Sequence, residues 1–333
     1  MCGIIGIVSK KQVVDRLVSG LERLEYRGYD SSGVATINNS KIAYTKSTGK
    51  LNSLKKKLKN ESIDGLVGIG HTRWATHGEP TEINAHPHVT KNVALVHNGI
   101  IENFAKFRDE FQKKGISFNS QTDTEVIVKL LEEKISQEKF QHLEAVQQVV
   151  RKLQGSFALC LIFRGVENLM IATRRGSPLA LGFGEGENFV SSDATSLSIF
   201  SKKICYLEEG DIAVITPEKI KIFDSSGISV RRDIQVLNAD PVTLSKGKYK
   251  HFMEKEIFEQ PEVISQVLGF YLNASKETLR LPPLPKSTEV KRIILIGCGT
   301  AFYSCLVAKY WFESLSGVPT HAELASEFRY RSP

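Results

Sequence analysis

The 333-residue sequence predicts an α+β protein in which two β-sheets pack face to face with helices on the outside. Many short apolar runs separated by turn residues fill the first two-thirds of the chain, which indicates strands. Longer segments with apolar residues at helical spacing interrupt them. Near the carboxyl end, an apolar strand, a glycine-containing turn and a helix follow one another, as at the start of a doubly wound α/β domain.

The strands of the first part are predicted from their apolar runs and the turns between them. We expect strands at GIIGIVS (3–9), SGVATI (32–37), KIAYTK (41–46), LVGIGHTRWA (66–75), VALVHNGI (93–100), GSFALCLIF (155–163), NLMIAT (168–173), PLALGFG (178–184), ENFVSS (187–192) and DIAVITPEKIKIF (211–223). The NNS turn at 38–40 predicts a hairpin. Helices are expected at residues 13–24, 51–59, 103–115 and 122–135.

The later part of the chain predicts a connection and then a second domain. The strand pattern weakens from about Asp224 to Pro241, and an amphipathic helix is expected over 251–275. The segment LRLPPLPKS (279–287) is typical of a proline-rich linker, and VKRIILIGCGTAFYS follows it. We therefore divide the chain into a first domain at 2–218, a connecting segment at 219–287 and the incomplete start of an α/β domain at 288–333.

Composition excludes several classes of protein. Hydrophobic residues make up 41% and charged residues 24%, as in ordinary globular proteins, and no run is long enough for a membrane span. The net charge is +7, but the basic run LKKKLK (54–59) has leucines at helical spacing and no interleaved aromatics, which favours a solvated helix face over nucleic-acid binding. Five scattered cysteines without a signal sequence predict reduced thiols in the cytoplasm. We expect no metal ion and no cofactor.

The chain begins MCGIIGIVSK, with a thiol directly before a predicted strand. Once Met1 is removed, Cys2 combines a reactive thiol with a free α-amine, whose pKa of roughly 7.7–8.0 suits a general base. A small buried cysteine explains the same position equally well. Position alone leaves both interpretations open.

Polar residues at the ends of two predicted strands and at the start of a predicted helix can also be interpreted either as functional or as structural. Arg73 offers a planar fork for a carboxylate, and Asn98 with Gly99 offers two donors for an oxyanion. Asp123 precedes a predicted helix and suits a substrate ammonium. Taken singly, each is explained as well by a surface ion pair, a turn or a helix cap.

Together with Cys2, these residues lie in motifs that resemble the class II glutamine amidotransferases. The motifs are MCGI (1–4), YRGYDSSG (26–33), GHTRWATHG (70–78), AHPH (85–88), HNGIIEN (97–103) and TDTE (122–125). The resemblance runs to about residue 218. It implies a four-layer αββα N-terminal-nucleophile hydrolase domain that hydrolyses the side-chain amide of L-glutamine.

The resemblance also implies a role for individual residues. Cys2 attacks the amide and its α-amine shuttles the proton, while Asn98 and Gly99 form the oxyanion hole. The remaining implied residues bind glutamine (Arg73, Thr76, His77 and Asp123) or gate the released ammonia (Trp74). We interpret His71 and His86 as structural.

The segments at 251–261 and 325–331 resemble the branch of this family that carries a pair of sugar isomerase (SIS) domains with a Rossmann-like fold. This implies fructose 6-phosphate as ammonia acceptor, a role in amino-sugar synthesis and a homodimer when full length. Cys298, Gly299 and Thr300 then form the sugar-phosphate turn, although Ala301 stands where that branch usually has serine. The other isomerase residues of that branch lie beyond Pro333, so we expect a fragment that supports only glutamine hydrolysis.

Two alternatives remain. One is the glutaminase domain of another class II enzyme, of the amidophosphoribosyltransferase type, although no acidic phosphoribosyl-diphosphate loop is evident. The other is a non-enzymatic sensor of sugar phosphates built on the SIS unit, which leaves Cys2 and its polar set without a purpose.

Overall fold

The computed structural model describes residues 2–61, 63–75, 77–136, 141–237, 249–273, 278–279 and 290–331. The chain divides into two compact units, Met1–His251 and Phe252–Pro333. Among the helices of these described ranges, none combines the length and apolar character needed to cross a membrane.

The first unit contains the strands and helices that the periodicity predicts, together with several short ones, except that the single strand expected at 211–223 is a hairpin of two strands. Its strands are β1 (Gly3–Ser9), β2 (Ser31–Asn38), β3 (Lys41–Thr48), β4 (Val67–Arg73), β5 (His88–Val89), β6 (Val93–Ile101), β7 (Gly155–Phe163), β8 (Met170–Arg175), β9 (Ala180–Phe183), β10 (Glu187–Ser191), β11 (Lys203–Tyr206), β12 (Ile212–Ile215), β13 (Ile220–Phe223), β14 (Ser229–Val230) and β15 (Gln235–Val236). Its helices are α1 (Val14–Glu22), α2 (Leu51–Asn60), α3 (Phe104–Lys113), α4 (Thr124–Ser136), α5 (His142–Val150) and α6 (Ala194–Leu197), with a 3₁₀ turn at Glu25–Arg27.

These strands form the two predicted sheets. The eight-stranded sheet has the order β15-β11-β9-β10-β1-β4-β2-β3, and the seven-stranded sheet has the order β14-β13-β12-β8-β7-β6-β5. The predicted hairpin joins β2 to β3, and Asn39 and Ser40 take positive φ angles of 48° and 59° there. The segment after Asp224 differs from expectation, because its short strands β14 and β15 add an edge to each sheet.

Alternation along the strands builds three apolar layers. Ile4 and Val8 of β1 pack between the sheets against residues such as Val96 of β6, whereas Ile5 and Ile7 face α1 and α2. The outer face of β6 and β7 packs against α3, α4 and α5. The result is the four-layer αββα arrangement that the resemblance implies.

The second unit contains α7 (Phe252–Tyr271), β16 (Leu272–Asn273), β17 (Thr278–Leu279), β18 (Ile293–Gly297), α8 (Thr300–Ser316), β19 (Thr320–Leu324) and α9 (Ala325–Phe328). Strands β18 and β19 pair in parallel, and α8 connects them. This is the predicted α/β unit. The predicted linker lies outside the described residues, apart from Leu279.

Gly33 of β2 controls how closely a neighbouring loop approaches the sheet. A Cβ at this position would lie 2.3 Å from the carbonyl oxygen of His86, a backbone atom that cannot rotate away. The segment that contains His86 therefore rests directly on the backbone of β2.

We expect Gly33→Ala to destabilise the first unit by about 1–3 kcal/mol, the usual effect of overpacking a tight site. Gly182→Ala in β9 is the matched control. A Cβ at Gly182 would lie 3.3 Å from its nearest neighbour, the Cβ of Phe189. Thermal unfolding measures both variants. Equal midpoints for the two would contradict the close packing at Gly33.

Candidate active site

The predicted functional residues converge where inner-face positions of both sheets reach the ends of their strands. Cys2 extends the alternation of Ile4 and Val8, and Arg73 extends that of Val67 and Ile69 in β4. Asn98 likewise continues the inner face of β6, following Ala94 and Val96. The same periodicity that builds the core thus delivers polar side chains to one edge of it.

The thiol of Cys2 contacts the backbone of Trp74. The Trp74 N–H donates to Cys2 Sγ at 3.2 Å, and the thiol donates to the Trp74 carbonyl at 3.5 Å. Burial raises the pKa of the Cys2 thiol, the Trp74 hydrogen bond lowers it, and the Asp30 carboxylate raises it, with a net upward shift. The thiol is therefore mostly protonated near neutral pH, so a base must remove its proton before it can attack.

Asn98 and Gly99 lie on β6 of the opposite sheet. Asn98 Nδ2 donates to the carbonyl oxygen of Cys2 at 2.8 Å, which links the two strands. Gly99 has a φ angle of 129°, and a Cβ there would lie 2.0 Å from the carbonyl oxygen of Ser156. This position therefore accepts only glycine.

Arg73 is buried and already hydrogen-bonded. Its guanidinium donates to the carbonyl oxygens of His77 at 2.5 Å, Gly78 at 3.1 Å and Glu79 at 3.1 Å. Burial lowers the pKa of Arg73, an effect that the Asp30 and Asp123 carboxylates oppose. The Arg73 guanidinium, which we expect to bind a carboxylate, thus holds the loop that follows β4.

Asp123 is buried immediately before α4. Its Oδ2 accepts from the N–H of Ile101 at 2.7 Å, and Oδ1 accepts from the Thr124 hydroxyl at 3.4 Å. These contacts hold the carboxylate against β6 as well as at the helix start.

Most of the predicted residues line one narrow cavity. Its walls are Cys2, Arg73, Trp74, His77, His86, His97, Gly99, Thr122, Asp123 and Thr124. The enclosed space of about 20 Å³ suits one water molecule and is far too small for an amino acid. The Trp74 side chain is 47% exposed and meets the Tyr29 ring edge-on at 5.5 Å. Thr76, another predicted site residue, lies outside the described residues.

Four buried histidines (71, 86, 88 and 97) pack beside this cavity, a cluster that the sequence motifs do not predict. The His71 and His86 rings stack at 4.1 Å, and His88 and His97 contact the same cluster through the His86 ring. Burial lowers the pKa of all four, to about 3 for His71, so the cluster is neutral at physiological pH. Within the described ranges, no group of three or more histidine, cysteine or acidic residues is arranged to hold a metal ion.

Sequence reasoning also missed Asp30 and Thr122. The Asp30 carboxylate accepts from the N–H of Ala75, and the Thr122 hydroxyl bonds His88 Nε2 at 3.0 Å. Both lie inside motifs quoted above, but only the tertiary structure brings them to the site.

Cys298, Gly299 and Thr300 belong to the second unit. They connect β18 to α8, and Gly299 has a φ angle of 56° directly before the helix begins at Thr300. The backbone amides of a helix N-terminus favour an anion in principle.

Two sequence models of protein families match the chain. One described as a glutamine amidotransferase domain matches residues 71–198, and one described as an SIS domain matches residues 288–333.

Curated relatives match over the whole chain. The glutamine–fructose-6-phosphate aminotransferase (isomerizing) of Bartonella quintana (strain Toulouse) is 49% identical over 334 residues, and that of Zymomonas mobilis is 47% identical over 334 residues. Each match covers 100% of this chain and 55% of the relative, so the chain spans about half the length of these relatives.

Solved structures share the fold. The glutamine phosphoribosylpyrophosphate amidotransferase of B. subtilis, complexed with ADP and GMP, has a TM-score of 0.61 at 19% identity, covering 97% of this chain and 65% of that one. A structure described as the allosteric regulatory enzyme of purine biosynthesis has a TM-score of 0.58 at 23% identity, covering 67% of this chain and 49% of that one. At these identities the likeness confirms the predicted fold class.

The raised pKa of the Cys2 thiol predicts how it reacts with iodoacetamide. Its alkylation rate should rise about tenfold per pH unit up to the thiol pKa, which lies above the ordinary 9.0, because only the thiolate reacts. Asp30→Asn removes a negative charge that raises this pKa, so we expect alkylation at pH 8 to be about threefold faster. Peptide mass spectrometry resolves Cys2 from the other cysteines.

Asp224→Asn is the control for this experiment, because Asp224 lies in the turn between β13 and β14 of the other sheet. An unchanged rate in Asp30→Asn, or the same acceleration in both variants, would contradict the electrostatic role of Asp30.

Proposed function

Since the chain belongs to the class II glutamine amidotransferase family, we propose that its first unit hydrolyses the side-chain amide of L-glutamine with Cys2 as the nucleophile. One observation carries the proposal. The Cys2 thiol shares a cavity with a buried guanidinium, that of Arg73, and a buried carboxylate, that of Asp123. The guanidinium is complementary to the α-carboxylate of an amino acid, and the carboxylate is complementary to its α-ammonium.

The proton of the thiol passes to the α-amine of Cys2, which becomes free when Met1 is removed. Because burial raises the thiol pKa, thiolate forms only as a base accepts the proton. An α-amine with a pKa of roughly 7.7–8.0 can do so and can then donate the proton to the amide nitrogen, which leaves as ammonia. Nucleophile and base thus belong to one residue.

Attack on the amide carbon creates an oxyanion, for which Asn98 and Gly99 supply donors. Asn98 Nδ2 lies 2.8 Å from the Cys2 carbonyl and carries a second hydrogen for the oxyanion. The Gly99 N–H is the other proposed donor. Water then hydrolyses the thioester to release glutamate.

Glutamine binding requires the cavity to widen. Arg73 would exchange the loop carbonyls of 77–79 for the substrate carboxylate, and Asp123 would accept from the substrate ammonium. We propose that His77 and Thr76 line the widened pocket and that Trp74 gates the released ammonia.

The domain division that we propose assigns residues 2–218 to the glutaminase and 288–333 to the start of an SIS domain. Residues 219–287 are the connecting segment, whose strands β13, β14 and β15 extend the two sheets. In a longer protein, the ammonia would aminate fructose 6-phosphate to form glucosamine 6-phosphate, with Cys298, Gly299 and Thr300 at the phosphate. The names of the relatives and the SIS match support this acceptor. We further propose that the protein is cytoplasmic, uses no cofactor and is a homodimer when full length.

Cys2→Ala should abolish glutamate release from glutamine, because no other group in the cavity replaces the thiolate. A chain that retains Met1, verified by mass spectrometry, should fold normally and lose at least about a hundredfold in rate, since the amine is displaced from the thiol. Glutamate is measured by a coupled dehydrogenase assay. Activity that survives in Cys2→Ala rules out this mechanism, and full activity with Met1 in place rules out the amine as base.

The acceptor is tested with fructose 6-phosphate. Residues 1–333 should release glutamate without forming an aminated sugar, whereas a version that continues through complete SIS domains should form glucosamine 6-phosphate in a ratio of about one to glutamate. Mass spectrometry of the sugar phosphates measures both. If the longer version hydrolyses glutamine but aminates no sugar, the acceptor assignment is wrong and the glutaminase assignment stands.

A further inference from the structure

His71 lies on β4, an interior strand of the eight-stranded sheet, and its ring points toward the opposite sheet. It pairs with Ile4 of β1 on one side and with Gly33 of β2 on the other, and its side chain is fully buried. Its Nε2 lies 3.0 Å from the carbonyl oxygen of His97 and 3.0 Å from Asn98 Oδ1. One ring nitrogen therefore meets two acceptors on β6.

These contacts determine the tautomer of His71. A backbone carbonyl can only accept, so Nε2 must carry the hydrogen. Burial lowers the pKa of His71 to about 3, so the ring is neutral and Nδ1 carries no hydrogen. Consistently, Nδ1 is buried and has no hydrogen-bond partner among the described residues. The ring is thus a fixed donor at Nε2.

A fixed donor on one side determines which way the Asn98 amide faces. With Oδ1 toward His71, Nδ2 points to the Cys2 carbonyl at 2.8 Å. A flipped amide would set the NH₂ group against the Nε2–H and turn Oδ1 toward another acceptor, the Cys2 carbonyl. Both mismatches would be buried and without a compensating hydrogen bond, so the flipped orientation is disfavoured.

We propose that His71 is a positioning residue for glutamine hydrolysis: it holds the Asn98 amide in the one orientation that presents its NH₂ group to the oxyanion formed at the reacting carbon. His71 touches neither substrate nor nucleophile and acts through Asn98 alone. The proposal rests on the proposed function, because it assigns Asn98 to the oxyanion.

Three substitutions separate this role from a general structural one. His71→Leu removes the donor. His71→Asn and His71→Gln both supply an amide, but only the longer Gln side chain reaches the position of Nε2. We expect kcat to fall about 10- to 100-fold in His71→Leu and His71→Asn, toward the effect of losing an oxyanion donor, and to stay within about fivefold of wild type in His71→Gln. KM should change less than about threefold in all three.

The pair His71→Asn and His71→Gln carries the test even if His71→Leu does not fold. Circular dichroism and the thermal midpoint report folding, and His88→Leu removes another buried imidazole of the same cluster without touching Asn98. We expect His88→Leu to lower the midpoint while kcat stays within about threefold. Equal kcat values for His71→Asn and His71→Gln, or a kcat loss in His88→Leu as large as in His71→Leu, would overturn the proposal.

A double-mutant cycle with Asn98→Ala tests whether the effect passes through the amide. In the Asn98→Ala background, changing His71 to Asn should lower kcat by less than about twofold. Additive losses would show that His71 acts elsewhere. A glutamine analogue with an aldehyde in place of the amide forms a tetrahedral adduct with a thiol. Its affinity should therefore fall in parallel with kcat in His71→Leu and His71→Asn, whereas the affinity for glutamate should not change.

These outcomes remain distinct from failure of the proposed function. Absence of glutamine hydrolysis by the wild-type chain with Met1 removed would reject the function itself. Hydrolysis by wild type that is unaffected in His71→Leu and His71→Asn would reject only the positioning role.

Discussion

The hydrogen bond from the Asn98 amide to the Cys2 carbonyl, next to those that His71 makes to β6, joins the two sheets at the end where the candidate site lies. Each sheet separately is an ordinary antiparallel array, and the apolar layer between them sets only their spacing. The bond sets which residue of β6 stands opposite the N-terminus of β1. Because Gly99 follows Asn98, the same register also brings a backbone N–H to the cavity. The geometry of the site is therefore a consequence of how two sheets align.

Periodicity predicted the strands and helices well because burial on one or both faces leaves a clear pattern. The run VALVHNGI is β6, and TDTEVIVKLLEEKI contains α4. The pattern missed β14 and β15, which are two residues long, and it missed α5. Such short edge strands leave almost no periodic signal, since pairing with a preformed sheet stabilises them.

The polar residues of the site were predicted from motifs, but their partners were not. Sequence indicated Arg73 as a fork for a carboxylate, whereas the structure shows it holding carbonyl oxygens at 77–79. The structural interpretation covers only His71 and His86, yet together with His88 and His97 they form one neutral cluster. Its hydrogen bonds run to Asn98, Thr122 and Thr124. Contacts across 26 or 34 positions of sequence separation depend on tertiary packing, which local patterns do not encode.

The central position of β1 has a consequence for the order of events during synthesis. β1 can pair with β4 early in synthesis, because β4 ends at Arg73. Its other neighbour, β10, is complete only when Ser191 has been added. At about 5–20 residues per second, a ribosome reaches that residue roughly 10–40 s after it starts. Until then the first strand lacks one of its two ladders. The pairing of β1 with β4 and its pairing with β10 are therefore separated in time by the topology of the chain.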